Sequence, residues 1–162
     1  MALGSGELLA LTGMMGAGKS TVARVLAARL GRQVISTDTM LESRFGKAIT
    51  RIFAEDGEPA FRAAERAIIE RLDGGLVVDL GGGAFCDPSS AARLLTAGRV
   101  VFLDVSAAEA ARRMAGGRAR PLAADWETLQ AERLEKYRRA HLTVAVDGLS
   151  AGEVATRILE AL

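Results

Sequence analysis

Gly13-Met14-Met15-Gly16-Ala17-Gly18-Lys19-Ser20-Thr21 comes just after the apolar run Leu8-Leu9-Ala10-Leu11. The spacing G-x-x-x-x-G-K-S, placed where a strand turns into a helix, is that of a phosphate-binding loop. Gly13, Gly16 and Gly18 allow backbone turns that a Cβ would oppose and let a phosphate approach the chain. The inward N–H groups and the positive end of the following helix then form an anion cradle. Lys19 is placed to reach the β- and γ-phosphates, and the Ser20 hydroxyl to ligate Mg²⁺. The chain is therefore expected to bind a nucleoside triphosphate, with Gly16, Ala17, Gly18, Lys19, Ser20 and Thr21 around its phosphates.

Working outward from this loop, short apolar runs alternate with helical patterns. The runs are Leu8–Leu11, Gln33–Ile35, Leu76–Leu80, Val100–Leu103 and Leu142–Val146. Helices are predicted over roughly 19–30, 39–45, 48–72, 88–97, 106–115, 125–140 and 150–161. Alternation of this kind predicts an α/β fold, a parallel sheet covered on both faces. Ligands of such sheets bind beyond the carboxyl ends of the strands. There the sequence has the P-loop, then Ser36-Thr37-Asp38, then Asp79-Leu80-Gly81-Gly82-Gly83, then Asp104. These residues are expected to form one site.

Composition narrows the rest. The 162 residues amount to about one domain, and the 49% apolar, 4% aromatic content predicts a core of Leu, Val, Ile and Ala. With 21 basic and 20 acidic residues the net charge is +1, so no overall field favours nucleic acid or an anionic membrane. No run of about 18 apolar residues suits a membrane span, and the N-terminal residues lack a signal-peptide pattern. Cys86 is the single cysteine, which excludes an intrachain disulfide and points to a reducing cytoplasm. The single His141 cannot by itself build a histidine metal site or a Ser-His-Asp triad and is assigned no role. A monomer is expected.

Several residues near the strand ends carry candidate chemistry. Asp38 either caps a helix or faces the γ-phosphate as the group that orients and deprotonates an acceptor hydroxyl. Both readings hold if Ser36 or Thr37 provides the cap. Arg62 and Arg133 read as surface arginines one at a time, or as a bidentate grip on a carboxylate if the fold brings them together. Three glycines in a row after a buried strand, Gly81-Gly82-Gly83, suit close approach by a ligand. In Arg112–Pro121, four arginines crowd nine positions beside two glycines. That stretch reads either as a solvated loop or as a lid, at about 112–122, whose arginines stabilise phosphoryl transfer and whose closure excludes water.

Together these residues resemble the shikimate kinase family. The likeness runs from about Leu8 to Val146 and includes the P-loop, Asp38, Gly46, Ile52-Phe53, Gly57-Glu58, Phe61-Arg62, Glu65, Gly81-Gly82-Gly83, Arg120-Pro121-Leu122, and Arg133 with Tyr137. The resemblance implies a five-stranded parallel sheet of order 2-3-1-4-5, a P-loop kinase fold with a lid. It implies transfer of the ATP γ-phosphate to the 3-hydroxyl of shikimate, with Mg²⁺, on the route to chorismate and aromatic amino acids. By the same resemblance Lys19, Asp38 and Arg120 are catalytic. Arg62 and Arg133 hold the shikimate carboxylate, Gly82 and Gly83 line that pocket, and Arg113 and Arg120 contact the nucleotide.

Two departures stand out. The family usually has a carboxylate where this chain has Ser36, and that carboxylate helps to hold Mg²⁺. Asp79, at the end of Val77-Val78-Asp79, is a candidate replacement beside Ser20. It reads equally as a tie between the P-loop and the third strand. In 147–152, the Arg or Pro that often frames adenine is missing.

Overall fold

The structure is a computed structural model that describes residues 2–115 and 125–162. All five strands lie in one parallel sheet of order β2-β3-β1-β4-β5: β1 Leu8–Thr12, β2 Val34–Ser36, β3 Val77–Asp79, β4 Gly98–Asp104 and β5 Leu142–Ala145. This is the fold class and strand order expected above. Every residue of β1 is buried, as a central strand covered on both faces requires.

The helices are α1 Lys19–Leu30, α2 Thr37–Phe45, α3 Ile49–Glu55, α4 Glu58–Glu70, α5 Pro88–Ala97, α6 Ala107–Ala115, α7 Trp126–Tyr137 and α8 Ala151–Ala161. The single helix predicted over 48–72 is two. After Asp56 closes α3, Gly57 takes φ +86° and ψ 161°, an extended positive-φ conformation that favours glycine and breaks the helix, and Pro59, which has no N–H to give, sits in the first turn of α4. The break turns α4 so that Phe61, Ala64, Glu65, Ile68 and Ile69 form its buried stripe. The helix predicted from 39 begins at Thr37, because the Ser36 side chain accepts from the Thr39 N–H at 3.3 Å and caps it. At the other end of the chain, Ser150 and Glu153 cap α8 reciprocally.

The core is mainly aliphatic, as composition implied, but the few aromatics are not spread through it. Trp126, Tyr137, Phe85 and Phe102 are its largest fully buried side chains. Phe102 and Tyr137 stack at 4.9 Å beneath the carboxyl ends of the strands. His141 precedes β5, and its Nδ1 accepts from the Val100 N–H at 3.0 Å, which places it at the sheet end opposite the P-loop. No described helix is long and apolar enough to cross a membrane.

Candidate active site

The carboxyl ends of β1, β2 and β3 open onto two adjoining cavities. The first, about 630 Å³, is bordered by Gly16, Gly18, Lys19, Ser20 and Thr21 of the P-loop and by Arg113. The second, about 460 Å³, is bordered by Arg62, Arg133, Gly82, Gly83 and Phe53. Met15, Asp38 and Gly82 line both. An anion cradle and a doubly basic pocket thus meet at one carboxylate.

At the cradle, the Lys19 ammonium donates to the carbonyls of Gly13 at 2.9 Å and Met14 at 3.2 Å, which holds it inside the loop. Desolvation pushes its pKa down, against the pull of Asp79 and Asp38. Ala17 is fully buried and does not line the cavity, but its carbonyl accepts from Arg113 at 3.1 Å. Arg113 also donates to the carbonyls of Val146 at 2.8 Å and Leu149 at 3.2 Å and to Glu109 at 3.0 Å. It therefore clamps the P-loop to the loop after β5 and offers a ligand a fixed planar surface. Ser20 Oγ donates to Asp79 Oδ2 at 2.5 Å, so Asp79 does tie the P-loop to β3, and it does so through the residue expected to hold a metal.

Asp38 lies in the first turn of α2 with its carboxylate in the shared border. Because Ser36 supplies the cap, Asp38 is free to face the site. Thr37 Oγ1 accepts from the Gly81 N–H at 2.8 Å and locks α2 to the glycine loop. Burial pushes the Asp38 carboxyl above the usual range, and nearby Lys19 opposes the shift.

The three glycines each make room for a different charged side chain. A Cβ at Gly81 would collide with the Asp38 carboxylate, one at Gly82 would sit 3.1 Å from the Arg133 guanidinium, and one at Gly83 would sit 2.6 Å from that of Arg62. Arg62 and Arg133, 71 positions apart in the chain, are thereby brought to one pocket. Gly83 has an ordinary φ of −99°, so its reason is space alone. Gly83→Ala is expected to keep the fold with some loss of thermal stability, because it shifts the Arg62 guanidinium that pairs with Glu65, and to raise the KM for the acid substrate about tenfold with little change in kcat, the size of one weakened charge-assisted hydrogen bond. Steady-state kinetics in both substrates checks this.

The sequence reading missed how Arg62 is held. Glu65, one turn on and almost fully buried, accepts from Arg62 at 2.9 Å, while the Phe53 and Phe61 rings, packed on each other, lie to one side of the guanidinium with centroids 6.0 and 5.2 Å away. The i, i+3 spacing of Arg62 and Glu65 was the available signal. Trp126, which also touches the site's loops, gave none beyond being the single tryptophan, whereas Tyr137 entered only through the family resemblance, beside Arg133. Arg120 and most of the expected lid lie outside the described residues.

The family model described as Shikimate kinase matches residues 15–162. A shikimate kinase of Thermobifida fusca (strain YX) is 42% identical over 168 residues, covering 99% of this chain and 97% of that protein. The solved structure of a shikimate kinase from Acinetobacter baumannii in complex with shikimate superposes with a TM-score of 0.87 at 31% identity, covering 96% of this chain and 92% of that one. A gluconokinase from Sinorhizobium meliloti 1021 covers 96% of this chain and 90% of that chain, with a TM-score of 0.59 at 23% identity, a likeness of fold alone.

Proposed function

Because the chain belongs to the shikimate kinase family, we propose that its two joined cavities carry one reaction: transfer of the ATP γ-phosphate to the 3-hydroxyl of shikimate, giving shikimate 3-phosphate and ADP. The observation that carries this reading is Asp38, which stands at the border of the P-loop cavity and the pocket that holds Arg62 and Arg133. ATP phosphates occupy the cradle of Gly16, Gly18, Lys19, Ser20 and Thr21. The shikimate carboxylate lies between the two guanidinium groups, each able to make paired hydrogen bonds to it. That anchors the ring with a hydroxyl toward Asp38, which takes the proton as the oxygen attacks phosphorus. The bond from phosphorus to the ADP oxygen breaks in the same exchange, and Lys19 stabilises the charge that develops.

The donor set fits Mg²⁺. Ser20 spends its proton on Asp79, which leaves the hydroxyl lone pairs for a cation, and both residues offer hard oxygen. Mg²⁺ typically takes only one or two carboxylates and completes its shell with phosphate and water. When bound it would neutralise β- and γ-phosphate charge. Asp79 and Ser36 are register partners on β3 and β2, so the carboxylate missing at Ser36 is replaced one strand over, in the same corner of the site. Asp79→Asn is expected to raise the Mg²⁺ concentration for half-maximal turnover about tenfold and to weaken Mn²⁺ binding to the enzyme–nucleotide complex, read by electron paramagnetic resonance. A variant with lower thermal stability but unchanged Mn²⁺ affinity would leave Asp79 as a structural tie only.

The chain acts as a monomer in the cytoplasm on this reading. The large apolar side chains exposed among the described residues, Met15, Val34, Met40 and Phe53, are few, and two of them border the substrate cavities. A coupled ADP-release assay with shikimate, quinate and gluconate tests the substrate. Turnover on shikimate well above the other two is expected, and turnover on gluconate alone would overturn it.

A further inference from the structure

Helix α7 sends side-chain hydrogen bonds to a backbone carbonyl in each of three loops at the carboxyl end of the sheet, and the Tyr137 hydroxyl also lies 3.6 Å from the Met14 sulfur. The Trp126 Nε1–H donates to the Met15 carbonyl of the P-loop at 3.0 Å. The Gln130 Nε2–H donates to the Val105 carbonyl after β4 at 2.9 Å. The Tyr137 hydroxyl donates to the Gly82 carbonyl after β3 at 2.5 Å. Positions 126, 130, 133 and 137 fall on one stripe of a helix, so Arg133 projects from the same face that makes these bonds. Trp126 is 1% and Tyr137 0% exposed, so neither ring has freedom to let its partner go.

A trans peptide points its C=O and the next residue's N–H in opposite directions, and the described chain has no cis bond. Fixing a carbonyl therefore fixes the amide behind it. Holding the Met15 carbonyl toward α7 aims the Gly16 N–H the other way, and Gly16 borders the nucleotide cavity. Holding the Gly82 carbonyl toward α7 aims the Gly83 N–H away from the helix, and Gly83 borders the acid cavity. Among the described residues, neither of these N–H groups donates to a protein acceptor. Gln130 differs, because the amide behind its carbonyl, Ser106 N–H, is already given to Asp147 at 3.0 Å.

We propose that Trp126 and Tyr137 are positioning residues that present two backbone donors, Gly16 N–H to the nucleotide phosphates and Gly83 N–H to the shikimate. This rests on the assignment of the two cavities given above. Each side chain holds its peptide against rotation, so its donor meets the ligand without reorganisation. A buried tyrosine is suited to this as a permanent donor. Desolvation pushes the Tyr137 phenol up to about 12, so it keeps its proton throughout the working range.

Isothermal titration calorimetry on the full chain tests the assignment, with ADP and shikimate as separate ligands. Trp126→Phe is expected to weaken ADP about tenfold and shikimate far less, the smaller effect coming from the place of Trp126 on the border of the acid cavity. Tyr137→Phe is expected to weaken shikimate about tenfold and ADP far less, since one misaimed donor is lost in each case. Gln130→Met removes a bond of the same kind from the same helix, and is expected to lower thermal stability while both affinities hold. Parallel losses in the two affinities, or losses that merely follow stability as in Gln130→Met, overturn the proposal. Should Trp126→Phe not fold, the smaller change Tyr137→Phe, read against Gln130→Met, decides it. Failure of the unaltered chain to bind shikimate would refute the substrate assignment instead, while the ADP measurement would still judge Trp126.

Discussion

Replacing Asp38 with asparagine is expected to lower kcat about a thousandfold while ADP and shikimate still bind, the loss typical of a missing general base. The amide has the shape of the carboxylate and fits against Gly81 as Asp38 does, so the effect isolates charge and proton acceptance. The pH profile carries the second half of the prediction. Burial raises the Asp38 pKa, so the unaltered enzyme should lose activity on the acid side at a pH above that of an ordinary aspartate, and the variant should lack that limb. Stability should move the other way. A carboxyl whose folded pKa is raised makes the folded state less stable above that pKa, and the penalty disappears as pH falls through it. At neutral pH the asparagine variant is therefore expected to melt at a higher temperature than the parent, and at low pH the two should converge. A residual kcat within tenfold of the parent would reduce Asp38 to an orienting group.

Much of this site was legible before any coordinates. The P-loop carries its meaning locally, because the glycine spacing, the lysine and the flanking strand and helix all lie in one unbroken stretch, Leu8 to Leu30. Asp38 was readable as a base because Ser36 or Thr37 could supply the cap, and it is Ser36 that caps α2. The sheet order came from family resemblance rather than from pattern, since nothing in five short apolar runs states their spatial sequence. Distance in the chain hid the rest. Whether Arg62 and Arg133 meet depends on how α4 and α7 cross the glycine loop, and on the turn at Gly57 that separates α4 from α3. The pairing of Ser36 with Asp79 is a fact of register between β2 and β3, so sequence left Asp79 with two readings that geometry combines in one hydrogen bond to Ser20. The bonds from α7 to loop carbonyls involve backbone atoms, which every residue has, and no residue pattern announces them.

Arg62 on α4 offers the sharpest separation of binding from folding. Arg62→Met is expected to raise the KM for shikimate about a hundredfold, the value of a lost charge-assisted pair to a carboxylate, with kcat changed far less. It is also expected to destabilise the fold by about 3 kcal/mol at neutral pH, because it strands a buried carboxylate. Glu65 is 1% exposed, Arg62 is its ion-pair partner, and its Oε2 has no hydrogen-bond partner among the described residues. Desolvation already raises the Glu65 pKa, and the hydrogen bond and charge of Arg62 are what restrain it. Without Arg62 the folded pKa climbs further. The penalty is then present above that raised pKa and fades as pH falls and Glu65 takes a proton. Thermal melts of the variant should approach those of the parent as the pH is lowered from neutral into the acid range. Adding Glu65→Gln to Arg62→Met removes the stranded charge, so the double variant should recover stability at pH 7 while its KM stays high. Recovery of both together would mean that Arg62 serves the fold and not the substrate, and that the shikimate carboxylate is held by Arg133 alone.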